Sequence, residues 1–137
     1  MIYKSAFESK KGVTAVILLV LDTAYLSLNK KFLDSHMKKI QGEPMKIKTG
    51  SLIACYLIII MGLYYFIILP KRSAWTAFLL GLFVYGVYET TNYSVLNRWP
   101  LELVVMDTVW GGVLFATTTL GVAFIGKYIN GIKGNKN

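Results

Sequence analysis

Long stretches almost free of charge, broken by short clusters of Lys and Arg, constrain this chain more than any other feature. Four of them fall at about residues 12–32, 49–69, 74–96 and 101–128. A helix rises about 1.5 Å per residue, so about 20 residues cross a hydrocarbon layer of roughly 30 Å. Inside lipid the backbone satisfies its own polar groups only as a helix or a closed barrel. Barrel strands alternate polar and apolar residues over about ten positions, and these stretches do not. The expected fold class is therefore all-α, a four-helix transmembrane bundle with short loops, forming a single membrane domain over residues 1–137. The 55% hydrophobic content agrees, as does a mean hydropathy of +0.52, because a soluble domain of this length cannot hide so much apolar surface in one core.

The breaks have mechanical causes. Pro70-Lys71-Arg72-Ser73 and Asn97-Arg98-Trp99-Pro100 each pair a helix-breaking proline with cations that cannot lie in hydrocarbon. Trp99 suits the headgroup region. Such short links imply antiparallel neighbours, so the second, third and fourth spans should run up and down in series. The longer connection at 29–48 carries Phe32, Leu33, His36, Met37 and Ile40 at helical spacing, with Lys38 and Lys39 on other faces. A short helix lying on the membrane surface is expected there. Asp22 and the absence of a small-residue cleavage site around Tyr25 to Leu28 argue for a retained first span rather than a cleaved signal peptide.

A net charge of +8 raises the question of nucleic acid, yet no recognition motif lies outside the apolar stretches, and none is expected as a partner. The lipid bilayer is the expected partner of the basic loops, with a second copy of the chain or another membrane protein as further expectations. Orientation is not decided by charge, since eight basic residues fall on the terminal face and seven on the other. With one Cys, Cys55, and one His, His36, a His- or Cys-based metal site has no raw material. No metal and no cofactor is expected, and Cys55 and Met61 read as packing.

The residues that carry chemistry are acids inside spans: Asp22, Glu89 and Asp107. Ionisable groups at membrane depth are costly and normally face the bundle interior with partners. Tyr85, Tyr88, Glu89 and Asn92 share one helical face, and Asp107, Trp110, Gly111 and Leu114 repeat that spacing on the next span. Glu89 and Asp107 lie at similar distances from the Trp99-Pro100 turn and should meet at one depth. Two carboxylates held close in a poor dielectric do not both ionise. Arg98 is the nearest cation that could reach back toward them. Asp22 is expected in the same cluster, bonded to Tyr88 or Asn92. Gly112, Ala116, Thr119, Ala123 and Gly126 form a small-residue stripe for close helix packing. Tyr64, Tyr65, Trp75 and Tyr128 read as interfacial anchors.

Tyr85-x-x-Tyr88-Glu89-x-x-Asn92, followed by Trp99-Pro100 and Asp107-x-x-Trp110-Gly111, resembles the signature of a small predicted-membrane-protein family, the domain of unknown function 2177. That family also carries an acid in its first span, where Asp22 stands, and more often has Asp where this chain has Glu89. The resemblance implies a shared four-helix fold and a shared polar site, and it implies no substrate. Function then divides three ways: an intramembrane polar site for a proton, cation or small amphiphile; a structural or assembly component of a cellular or viral membrane; or a lipid-phase enzyme using the Glu89 and Asp107 pair. The enzyme is disfavoured by the missing nucleophile-base dyad and phosphate-binding loop.

Overall fold

The computed structural model describes the backbone of residues 2–134 and the side chains of residues 9–134 except residue 133. The described residues form α1 (Ile2–Leu28), α2 (Lys30–Gln41), α3 (Thr49–Leu63), α4 (Ala74–Val95) and α5 (Leu101–Gly134), with a π-helical turn at Tyr64–Ile68 continuing α3. The segments Ser9–Leu28, Thr49–Ile68 and Leu101–Ile132 are long and apolar enough to cross a membrane. Their lipid-facing character shows in the many large apolar side chains left exposed, among them Val16, Ile58, Met61, Leu120 and Phe124. Such a surface is unstable in water and suited to hydrocarbon. α4 has 22 residues, about 33 Å of helix, but its second half carries Glu89, Thr90, Thr91, Asn92 and Ser94.

α5 is the organising helix. α4 packs along it as an antiparallel hairpin, α1 crosses it, and the π-turn after α3 rests on it. The hairpin closes where glycines let the backbones touch. A Cβ on Gly81 would lie 2.0 Å from the Gly111 carbonyl oxygen, one on Gly111 would lie 2.4 Å from the Tyr85 ring, and one on Gly112 would lie 2.7 Å from Phe78. The stripe read from the sequence thus follows the helix contact only in its first part. Gly112 and Thr119 are buried, whereas Ala123 is exposed and Gly126 has open space around its Cα. α1 meets α5 through Ile17, 3.0 Å from where a Gly121 Cβ would stand, and through Leu18, buried in one cluster with Leu114, Phe115 and Val122.

The first span stops at Leu28 rather than at residue 32. The Asn29 side-chain amide donates to the Tyr25 carbonyl at 2.9 Å, and Lys30 and Lys31 follow at once, so the chain turns where hydrocarbon ends. α2 then lies across the start of α5, where Leu33 is buried with Trp99, Leu103 and Val104, and Phe32, Met37 and Ile40 pack beside it. Its C-terminus ends at Gly42, whose φ of 78° is a left-handed conformation natural to glycine. The Arg98 guanidinium donates to the Lys39 carbonyl at 3.2 Å, pinning α2 to the α4–α5 turn instead of reaching the acids.

Ser73 caps α4 by accepting from the Thr76 amide at 3.1 Å, and Pro100 immediately precedes α5. α3 and α4 follow one another through the Pro70 turn, yet they do not pack along their length. α3 packs on α1, and a groove of about 550 Å³ separates it from α4. The π-turn helps to set this arrangement by burying Tyr64, Ile67 and Ile68. Tyr64 is consequently in the core beneath Lys11, whose ammonium lies 5.5 Å from the ring centroid. Tyr65, Trp75 and Tyr128 are exposed, as is Met61, which faces outward instead of filling the core. Beyond residue 128 α5 continues to Gly134.

Candidate functional site: a buried carboxylate chain

Each acid is held by aromatic donors from other elements. On α1, Asp22 is 6% exposed. Its Oδ1 accepts from Trp110 Nε1 of α5 at 2.9 Å, and its Oδ2 accepts from the Tyr56 hydroxyl of α3. One turn further along α1, the Tyr25 hydroxyl donates to Asp107 Oδ1 at 2.5 Å. The same Tyr25 ring stacks on the Trp110 indole, with centroids 4.3 Å apart and planes 5° from parallel. Asp22 and Tyr25 stand three residues apart on one face of α1, and both reach across to α5, where Asp107 and Trp110 are spaced identically.

Glu89 on α4 is 1% exposed, and its Oε2 accepts from Trp99 Nε1 at 2.8 Å. Trp99 itself is 9% exposed: its N–H meets the buried carboxylate, and Leu33 of α2 packs with its ring. The Glu89 and Asp107 carboxyl groups lie close enough to act on one another across the α4–α5 hairpin. Polar groups therefore run from Tyr56 and Asp22, through Trp110 stacked on Tyr25, to Asp107, Glu89 and Trp99.

Of the residues singled out in the sequence, Asp22, Glu89, Asp107 and Trp110 come together. Tyr85 lies over Gly111, its ring edge-on to Phe115 at 6.3 Å. Asn92 is half-buried near the end of α4, and its carbonyl accepts from Leu96. Tyr88 points away and is 59% exposed. Adjacent helix positions are about 100° apart, so when Glu89 turns toward α5, Tyr88 turns toward α3. Asp22 is accordingly bonded to Tyr56 and Trp110, not to Tyr88 or Asn92. Tyr56 is the partner that the sequence reading missed. The signal available was a hydroxylated ring in the middle of an otherwise apolar span.

A groove between α3 and α4 lies beside the site. Ser51, Cys55, Ile58, Val84, Tyr85 and Tyr88 are among its walls. Cys55 and Tyr85 lie within electrostatic reach of Asp22, and Cys55 faces this space rather than a packed core. Among the described residues no group of three or more His, Cys, Asp and Glu is placed to hold a metal ion. His36 lies on α2, its Nδ1 2.8 Å from the Phe32 carbonyl and its ring against Phe32.

A family described as predicted membrane protein (DUF2177) matches residues 11–124. The chain belongs to the DUF2177 family. Neither the curated proteins nor the solved structures give a match. The DUF2177 segment spans every element that contributes to the carboxylate chain, from Asp22 on α1 to Trp110 on α5. This DUF2177 chain is a multi-pass integral membrane protein whose helices bury acids among aromatic donors.

Proposed function

We propose that the chain is a membrane-embedded binding module for a small amphiphile that carries a hydrogen-bond-donating, preferably cationic, polar end. In this reading α4 crosses the bilayer as a fourth span, and the amphiphile enters sideways between α3 and α4. Its apolar body lies along Ile58, Ile59 and Val84, and its polar end meets Tyr85 and Asp22. The observation that carries the proposal is the groove of about 550 Å³ between α3 and α4 whose walls lie beside a buried carboxylate.

The chemistry favours a donor. A carboxylate offers about four lone-pair sites, and Asp22 uses one on each oxygen, for Trp110 and Tyr56. No Lys or Arg occurs between Gly12 and Leu28, between Thr49 and Pro70, between Ser73 and Asn97, or between Trp99 and Gly126, so a cationic ligand meets no competing cation at this depth. Anionic heads would meet like charge there.

A photoreactive dodecylamine with a diazirine on its tail tests this in reconstituted vesicles. Cross-links are expected to concentrate on Ile58, Ile59 and Val84 and to fall about tenfold in Asp22→Asn, the scale of one lost charge-assisted bond. Labelling spread evenly over Phe83, Val105 and Leu120, and indifferent to Asp22→Asn, would show that the groove is only a seam in the bundle.

A further inference from the structure

A second groove, at the opposite end of the bundle from α2, has different chemistry. It holds about 380 Å³ and is bounded by Lys10 of α1, Lys71 and Arg72 of the turn after the π-helix, and Lys127 of α5, with Ile67 and Val122 on its apolar floor. Three separate elements deliver cations to one opening. The turn that supplies two of them is held in shape by the Arg72 amide bonding the Ile67 carbonyl at 2.8 Å and by Lys71 at a φ of 56°. Among the described residues the ion pairs are Lys30 with Asp34 and Lys46 with Glu43, both in the α2 region. None of the described lining residues is acidic.

The vertical arrangement matters as much as the charge. Along α5 the lining runs from Thr119 to Asn130, about 16 Å of helix axis. Its deeper part is apolar, with Val122 buried, and its outer part is cationic. A free anion needs only the mouth, whereas a phospholipid uses both zones, its phosphate among the cations and the top of an acyl chain against Ile67 and Val122. Basic pockets between membrane helices recognise anionic headgroups in this way.

We infer that the groove between the Pro70 turn, α1 and α5 is a binding site for the phosphate headgroup of an anionic membrane phospholipid. The site is separate from the α3–α4 groove and stands or falls independently of the amphiphile proposal. It also gives the terminal face a preference for an anionic leaflet that the near-equal distribution of basic residues does not.

The test is native mass spectrometry of the full chain released from nanodiscs of equal phosphatidylglycerol and phosphatidylcholine. The wild type is expected to retain one phosphatidylglycerol in preference to phosphatidylcholine. The double variant Arg72→Gln/Lys127→Gln should retain it about tenfold less, while Lys38→Gln/Lys39→Gln, which removes the same charge from α2, should retain it as the wild type does. Circular dichroism of both variants checks the fold, and Arg72→Lys, which keeps the charge, should restore retention if Arg72→Gln alone weakens it. Equal retention of phosphatidylcholine would overturn the proposal, as would equal loss in the two double variants or no loss in either. Displacement of the lipid by millimolar inorganic phosphate would also contradict it, because it would mean that the mouth alone binds and the apolar floor contributes nothing.

Discussion

Asp22 accepts from both Tyr56 and Trp110, so what replaces it decides how much is lost. Asp22→Asn keeps an acceptor for the Trp110 indole and can donate to the Tyr56 oxygen, and it should cost less than about 1 kcal/mol in detergent-based unfolding. Asp22→Leu strands both donors and should cost about 2–4 kcal/mol. Equal losses in the two variants would mean that the hydrogen bonds contribute little. Glu89 behaves in parallel. Glu89→Gln retains an acceptor for Trp99 and a donor toward Asp107, whereas Glu89→Leu leaves the buried Trp99 N–H without a partner; the Leu variant should unfold at a markedly lower temperature than the Gln variant. The acids themselves were legible in the sequence because charge is conspicuous at membrane depth. Their partners were not, since Tyr56, Tyr25 and Trp99 are residues that also serve as packing or interface anchors. Only the rotation of each helix about its axis shows which role a given ring takes, and a single sequence does not fix that rotation.

The α4–α5 hairpin depends on glycines at its point of closest approach. Gly81→Ala would place a methyl against the Gly111 carbonyl, which is backbone and cannot swing away, so the hairpin must separate. A loss of about 3 kcal/mol or more is expected by equilibrium unfolding. Gly126→Ala, in the same family of small residues, meets nothing within 4 Å and should be neutral or stabilising by up to about 1 kcal/mol, the helix-propensity difference. On the other side of the bundle, Leu33→Ala removes the buried anchor of α2 and should cost about 2–3 kcal/mol while making the α2 backbone faster in hydrogen exchange. Elements read well from the sequence where a period or a breaker marks them: α2 was visible from its apolar spacing, and both tight turns from proline beside cations. The end of α1 at Leu28 depends on the Asn29 amide bonding back to Tyr25, a local competition that hydropathy does not register. The π-turn at Tyr64–Ile68 left no signal, and it is the feature that carries Tyr64 inward.

Across the whole molecule, the basic α2 region and the α4–α5 turn share one end, and Lys10, the Pro70 turn and the far end of α5 share the other. Short links predicted a series of packed neighbours, but α5 instead gathers α1, α4 and the π-turn around itself and leaves α3 apart from α4. That separation creates the lateral groove, and it arises because the glycine contacts tie α4 to α5 more closely than a four-residue turn ties α4 to α3. The result is a buried carboxylate chain beside a lateral groove that Cys55 lines. Cys55 is the single cysteine of the chain, so it reports on the groove without engineering. The most direct measurement is the rate of Cys55 alkylation by N-ethylmaleimide in reconstituted vesicles, with dodecylamine or dodecane added. Dodecylamine should slow alkylation, dodecane should do so weakly, and Asp22→Asn should raise the dodecylamine concentration needed by about tenfold. Equal protection by the two additives, or protection unchanged in Asp22→Asn, would contradict the claim that the carboxylate recognises what the groove admits.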